Sequence, residues 1–308
     1  MKGIELCRAF YEEVGAPLLN EQFAEVLSLL AVGLAGSGSE CFGFDDEVSK
    51  DHDFEPAFCI FVPDNIDRKT EFNLERAYAK LPKEFMGYKR PRLAADGGGR
   101  HGVIKIGDFF ENKTGRRDGN LTLGDWLTVP ENSLFEATNG EIFFDNLGEF
   151  SNIREKLSYF PSDIRLKKLA GHLLLMGQSG QYNYSRCIDR GDTAAAQLSV
   201  IEFVKSAMNA VFLLHKKYMP YYKWRFYALK ELGETELAEN LELLISSDNK
   251  TPDEKVQIIE NICGKIGKML AEQSLCGKMG SEMERLAYAV NDKIEDNKIR
   301  NMNILSAV

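Results

Sequence analysis

From about residue 30 the chain alternates short apolar runs with glycine-rich or charged connectors, and beyond residue 149 it turns to helical periodicity. Strand-length runs at 30–35, 57–62, 101–106 and 141–144 are bounded by Gly, Pro and Asp, the last introduced by Asn139-Gly140. Such punctuation predicts strands. Helical spacing over 21–30, 74–81 and 131–138, the last with Pro130 at its start, predicts helices between them. In the second half, 152–159, 162–177, 193–218, 234–245, 252–275 and 281–304 all carry apolar residues at i, i+3 and i+4. The 193–218 segment is apolar on most faces, which predicts the central member of a bundle, with Asp192 placed to cap it. The expected fold class is α+β. A small mixed-sheet α/β domain over 1–148 precedes an all-α helical bundle over 149–308, with the boundary near 146–152.

Composition adds limits rather than direction. A chain of 308 residues suffices for two domains, and 44% hydrophobic with 28% charged residues is ordinary for a soluble protein. No uninterrupted run of about 18 apolar residues predicts a membrane span, and residues 1–11 lack the apolar core of a signal peptide. The expected compartment is the cytoplasm. The six cysteines (Cys7, Cys41, Cys59, Cys187, Cys263 and Cys276) form no CxxC pair and no zinc spacing with histidine. They are expected to be reduced and mostly buried. The net charge of −9 argues against a nucleic-acid partner, because affinity for phosphate backbones comes largely from Lys and Arg, although a local basic groove is compatible with it.

The chemistry concentrates in residues 36–53, Gly-Ser-Gly-Ser-Glu-Cys-Phe-Gly-Phe-Asp-Asp-Glu-Val-Ser-Lys-Asp-His-Asp, between the first two strand-like runs. Gly36 and Gly38 permit a sharp turn and close backbone approach. Exposed N–H groups together with the Ser37 and Ser39 hydroxyls suit phosphate oxygens. Asp51 and Asp53 stand at i, i+2, so on an extended segment both carboxylates share a face, while His52 takes the other. Two adjacent hard oxygen ligands suit Mg²⁺, which favours carboxylates together with substrate phosphates. Asp45, Asp46 and Glu47 are expected to form a solvated acidic loop, and Gly97-Gly98-Gly99 a flexible one.

This stretch resembles the nucleotidyltransferase superfamily with a DNA-polymerase-beta-like fold, whose signature is a strand, a Gly-Ser turn and an Asp-x-Asp pair opening the next strand. More closely, the chain is similar to a bacterial family of nucleotidyltransferase-like proteins. The matching phrases are Asp45-Asp46-Glu47 with Ser49-Lys50-Asp51-His52-Asp53, Asp125-Trp126-Leu127 and Gly140-Glu141-Ile142-Phe143-Phe144-Asp145. Tyr159-Phe160-Pro161 and Tyr218-Met219-Pro220-Tyr221-Tyr222-Lys223-Trp224 follow, so the resemblance spans most of residues 30–230. It implies that the sheet domain is a nucleotidyltransferase core, that Gly36 and Ser37 hold a nucleoside triphosphate, and that Asp51 and Asp53 hold Mg²⁺ or Mn²⁺. A substrate hydroxyl would then attack the α-phosphorus and release pyrophosphate. The superfamily also places a third carboxylate on a neighbouring strand. The 101–106 run contains no acid, which leaves Asp108 just after it, Asp145 closing the later strand, or no third ligand.

In the helical half, Glu202 can be read as the base that takes the acceptor's proton or as a helix-face partner of Lys205. Lys223, within Tyr-Tyr-Lys-Trp, is the favoured cation for triphosphate or acceptor, with Arg186, Arg190, Lys216 and Lys217 as further candidates. Three functions follow. The first is transfer of a nucleoside monophosphate to a hydroxyl of a small molecule or protein. The second is a catalytically impaired nucleotide-binding or regulatory module. The third is a transferase directed at tRNA or another nucleic acid.

Overall fold

A computed structural model describes residues 1–46, 55–90, 100–277 and 280–308. The chain divides into two compact units, Met1–Asp125 with Asn132–Ser158, and Trp126–Glu131 with Tyr159–Val308. The fold is α+β, with a small mixed sheet in the first unit and helices throughout the second.

The first unit opens with α1 (Gly3–Phe10), a π-helical turn (Tyr11–Gly15), α2 (Ala16–Gln22) and α3 (Ala24–Leu27). The sheet elements and their helices follow as β1 (Ala31–Leu34), α4 (Ser39–Phe42), β2 (Cys59–Val62) and α5 (Arg68–Ala79). Next come the hairpin of β3 (Glu84–Phe85) and β4 (Tyr88–Lys89), then β5 (Gly102–Lys105) and α6 (Ile106–Thr114). Helices α7 (Leu123–Thr128) and α8 (Glu131–Thr138) follow, with Trp126–Glu131 counted in the second unit, and the first unit closes with β6 (Glu141–Asp145) and α9 (Glu149–Lys156). Helix α5 starts earlier than apolar spacing suggests because Asp67 accepts from the N–H groups of Lys69 and Thr70 at 3.1 and 3.0 Å. The β3–β4 hairpin turns through Met86 and Gly87, both with positive φ, a signal too short for periodicity to detect.

The strand order is β5-β2-β1-β6. Strand β1 is antiparallel to β2 and β6, whereas β2 and β5 run parallel. In register, Leu34 faces Glu141, Gly33 faces Cys59 and Cys59 faces Gly102 at one end of the sheet. At the other end Ala31 faces both Phe61 and Asp145, and Val62 faces Lys105. Both faces of the central strands β1 and β2 are buried. Val32, Ile60 and Val62 join Phe10, Leu74 and Tyr78 on one side. On the other side Phe61 stacks against Phe150 with ring centroids 4.2 Å apart and meets Phe109 at 5.3 Å. Burying each such side chain is worth about 1.5–3 kcal/mol.

The second unit contains α10 (Ser162–Met176), which continues into a π-helical stretch (Gly177–Asn183), α11 (Tyr184–Asp189) and α12 (Thr193–Leu214). Helices α13 (Arg225–Glu231), α14 (Thr235–Ser246), α15 (Pro252–Glu272), α16 (Met283–Asn291) and α17 (Asn297–Asn301) complete it. Asp192 accepts from the Ala195 N–H at 2.9 Å, which caps α12 as expected. Among the described residues α12 is the one helix long and apolar enough to cross a membrane, with a mean hydropathy of 1.3. Most of it is buried among α10, α11, α14 and α15, the central place its apolar faces predict. It ends at Leu214 because Lys216 takes a left-handed φ of 53° and the Lys217 N–H folds back to the Phe212 carbonyl at 3.0 Å. The single helix expected over 281–304 is broken. Asp163 accepts from the N–H groups of Glu295 and Asp296 at 3.1 and 2.8 Å, and Asp296 caps the separate α17. Lys167, fully buried, donates to Asn291 Oδ1 and to the carbonyls of Arg300 and Met302 at 2.9, 3.2 and 2.7 Å.

Two outcomes follow. A Cβ at Gly33 would collide with the Glu141 carbonyl and lie 2.8 Å from Ile142 Cα, so Gly33→Ala should lower the urea-measured unfolding free energy by about 1–3 kcal/mol. Burial, with Lys168 and Lys205 adding repulsion, depresses the His172 imidazole from 6.5 to about 3. The neutral ring therefore contributes stability that is complete above pH 6.5 and lost as pH falls toward 3. His172→Leu should flatten that acid slope by up to about 1.4 kcal/mol per pH unit in unfolding titrations.

Candidate functional site

The glycine-serine bend leaves the end of β1 and enters α4. Gly36 and Gly38 adopt φ of 111° and 127°, a backbone region that side chains disfavour. The bend is held by one amide. The Gly36 N–H donates to Asn139 Oδ1 at 2.8 Å, and Asn139 Nδ2 donates back to the Gly36 carbonyl at 2.7 Å. Beneath Gly38 the buried Glu40 carboxylate pairs with Arg100. A Cβ on Gly38 would strike that guanidinium and come 2.5 Å from Glu40 Oε1, so glycine is required by proximity as well as by φ. Gly36 and Ser39 are buried, whereas Ser37 and Gly38 remain partly open to solvent. Sequence reasoning missed Asn139, Glu40 and Arg100. Asn139-Gly140 was legible as a strand-opening turn, but the amide's partner lies 103 residues away.

Asp51, Asp53 and His52 lie outside the described residues, as do Glu47 and the glycines at 97–99. The flanks of the acidic segment are described, and both attach to α1. Asp45 is more than a solvated acid: its Oδ2 accepts from the Gly3 N–H at 2.9 Å, while Lys2 Nζ donates to the Gly43 and Asp45 carbonyls at 3.2 and 3.1 Å. On the far side the Cys7 thiol donates to the Glu55 carbonyl at 3.4 Å. Gly3 and Cys7 are one helical turn apart, so a single helix face anchors both sides of the segment. Two more buried thiols grip loop carbonyls, Cys41 at Ser37 (3.7 Å) and Cys59 at Arg100 (3.3 Å). Burial pushes Cys7 and Cys59 up to about 12, so these thiols are hydrogen-bond donors rather than nucleophiles.

Neither candidate for the third carboxylate stands by the bend. Asp145 pairs in register with Ala31, at the opposite end of the sheet, and accepts from the Ser151 N–H at 2.8 Å. Gly36 is five residues beyond Ala31, roughly 15 Å along an extended chain. Asp108 follows β5 at that same far end, where it binds Arg117 at 2.5 Å alongside Asp64 at 2.9 Å and Glu111 at 2.7 Å. Both are acids of the far end of the sheet. The cause is topology: β1 runs against β2 and β6, so residues that close those strands lie away from its exit. Partial burial opposes ionisation of Asp64, but the bonds from Arg117 and the Gly107 N–H outweigh it and hold the carboxyl below its ordinary range. Burial, with Asp64 and Asp145 nearby, raises Glu149 in the same corner. Among the described residues, no group of three or more His, Cys, Asp or Glu is arranged to hold a metal ion.

In the second unit, Glu202 is 43% exposed at its side chain and pairs with Lys205 at 3.3 Å, the helix-face alternative. Lys223 is exposed, with its ammonium 5.0 Å from the Trp224 ring centre, and Arg186 lies 4.9 Å over Tyr182. Arg190, Lys216 and Lys217 are exposed. A half-buried acid of this unit is Glu131, which accepts from the Met219 N–H at 3.3 Å. Burial raises its carboxyl above the ordinary value, opposed by Lys168 and Arg225. Around it the phrases containing Trp126, Tyr159-Phe160 and Tyr218 converge. Phe160 meets Tyr218 at 4.9 Å and Trp126 at 5.9 Å, and Tyr159 meets Tyr218 at 5.4 Å. Glu131 was missed because its place beside Pro130 reads simply as a helix start.

Residues 126–225 match the family model described as a domain of unknown function (DUF4037). No curated protein matches the chain. Among solved structures, it is similar to a nucleotidyltransferase-like protein from Exiguobacterium sibiricum 255-15, with 12% identity and a TM-score of 0.36 over 91% of this chain and 80% of that one.

Proposed function

We propose that the first unit binds a nucleoside triphosphate and transfers its nucleoside monophosphate to a hydroxyl of a small molecule or protein in the cytoplasm. The observation that carries this reading is the fixed bend: Gly36 and Gly38 at positive φ, pinned by Asn139 and followed in sequence by Asp51-x-Asp53. Gly36, whose own N–H is given to Asn139, shapes the turn, and the N–H groups and hydroxyls of Ser37 and Ser39 suit phosphate oxygens, since a preset turn offers donors with little reorganisation. The acceptor oxygen forms a bond to the α-phosphorus, the bond to the β-phosphate oxygen breaks, and pyrophosphate carries away the electron pair. The acceptor's proton passes to solvent or to a base. Mg²⁺ or Mn²⁺ held by Asp51 and Asp53 would supply neutralisation of charge on the phosphoryl oxygens.

A nucleotide-binding module without turnover is the second reading. It is favoured by one observation, the placement of Asp108 and Asp145 at the far end of the sheet.

Incubation with each nucleoside triphosphate and Mg²⁺ or Mn²⁺ should release pyrophosphate if the first reading holds. Asp51→Asn or Asp53→Asn should each reduce that release by about 100-fold or more, the order lost when a group stabilising transition-state charge is removed. Nucleotide-dependent thermal stabilisation without pyrophosphate would select the second reading. Asn139→Ala leaves two buried polar groups of Gly36 without their partner. Unfolding in urea should show a loss of about 2 kcal/mol, and calorimetry should show weaker nucleotide binding.

A further inference from the structure

Residues 215–230 depart from the rest of this acidic chain. In a protein of net charge −9 they hold five Lys or Arg, six aromatic residues and no Asp or Glu. Tyr218, Met219 and Pro220 are buried and fasten the segment to the second unit. The residues that follow turn outward: Tyr221 is 46% exposed, Tyr222 65% and Tyr227 39%. The rings are grouped, Tyr221 with Tyr222 at 4.4 Å and Trp224 with Tyr227 at 6.4 Å between centroids. Lys223 lies between the two groups in sequence, and Lys216 and Lys217, where α12 ends, add two exposed ammonium groups.

Large aromatic side chains grouped together at an exposed surface mark a contact surface. Interleaved ammonium groups select an anion. A single nucleobase has two faces and needs at most two rings, whereas here two ring groups are spread along a segment whose cations are also distributed. That pattern matches a strand whose bases stack in succession while its phosphates meet lysines.

We infer that the aromatic-basic segment 215–230 is a docking surface for single-stranded nucleic acid. The inference does not rest on the transfer reaction, and it limits the argument from net charge: −9 describes the whole chain, while a strand meets only a local field.

The test is fluorescence anisotropy of a labelled 12-nucleotide oligouridylate with the full chain in EDTA, without nucleoside triphosphate, across 50–200 mM salt. Binding should weaken with salt at a log–log slope of about −2, from roughly three phosphates neutralised at −0.7 each. Tyr221→Ala combined with Tyr222→Ala should weaken binding at least about tenfold at fixed salt and leave the slope unchanged. Lys216→Gln, Lys217→Gln and Lys223→Gln together should remove most of the slope. All five side chains are exposed, and unchanged thermal unfolding of the variants would show that the fold persists. Any of four results overturns the inference. These are absence of binding at 50 mM salt, indifference to the tyrosine pair, tighter binding of duplex, and equal ring-dependent binding of UTP alone or of polyglutamate. Failure here with pyrophosphate release intact would leave the proposed reaction standing, and the converse also holds.

Discussion

One carboxamide sets the shape of the first unit's loop edge. Asn139 accepts from and donates to the backbone of Gly36, joining the exit of β1 to the approach of β6 across 103 residues. Both bonds are buried, so the two peptide groups flanking the Gly36 Cα would otherwise lose solvent without compensation. The left-handed glycines make the bend accessible, and the amide selects one conformation from those that glycine allows. The Glu40–Arg100 pair packed beneath Gly38 adds a second constraint from the opposite side. A phosphate-sized ligand at this bend would meet donors already fixed in place.

Strand direction then decides which acids can cooperate. Because β1 is antiparallel to both of its neighbours and β5 runs parallel to β2, the residues that begin β2, β5 and β6 share the edge with the bend, and those that end them do not. Asp145 ends β6 and Asp108 lies just past β5 in the first turn of α6, where it already answers to Arg117. The far edge has its own electrostatic economy, in which Asp64 and Arg117 satisfy one another and Glu149 is left with raised affinity for its proton.

What the sequence makes legible is local. The four strands of the sheet, the cap by Asp192 and the central place of α12 follow from apolar spacing and short-range hydrogen-bonding chemistry. The bend itself is visible as Gly-Ser-Gly-Ser. Distant partnerships escaped, since no spacing rule pairs Asn139 with Gly36 or Glu131 with Met219. The broken helix at 292–296 has the same origin, because Asp163 captures two backbone N–H groups from more than 130 positions away. The pair of Glu202 with Lys205 was legible, because it spans only three positions on one helix face.

The three thiols of the first unit have a further significance. Cys7, Cys41 and Cys59 are closed to solvent, and each donates to a carbonyl in a different loop, at Glu55, Ser37 and Arg100. A maleimide or a disulfide reagent can reach such sulfurs only when its own loop lifts. Their separate labelling rates therefore time three distinct opening motions, and a ligand that clamps the loops would slow all three clocks together.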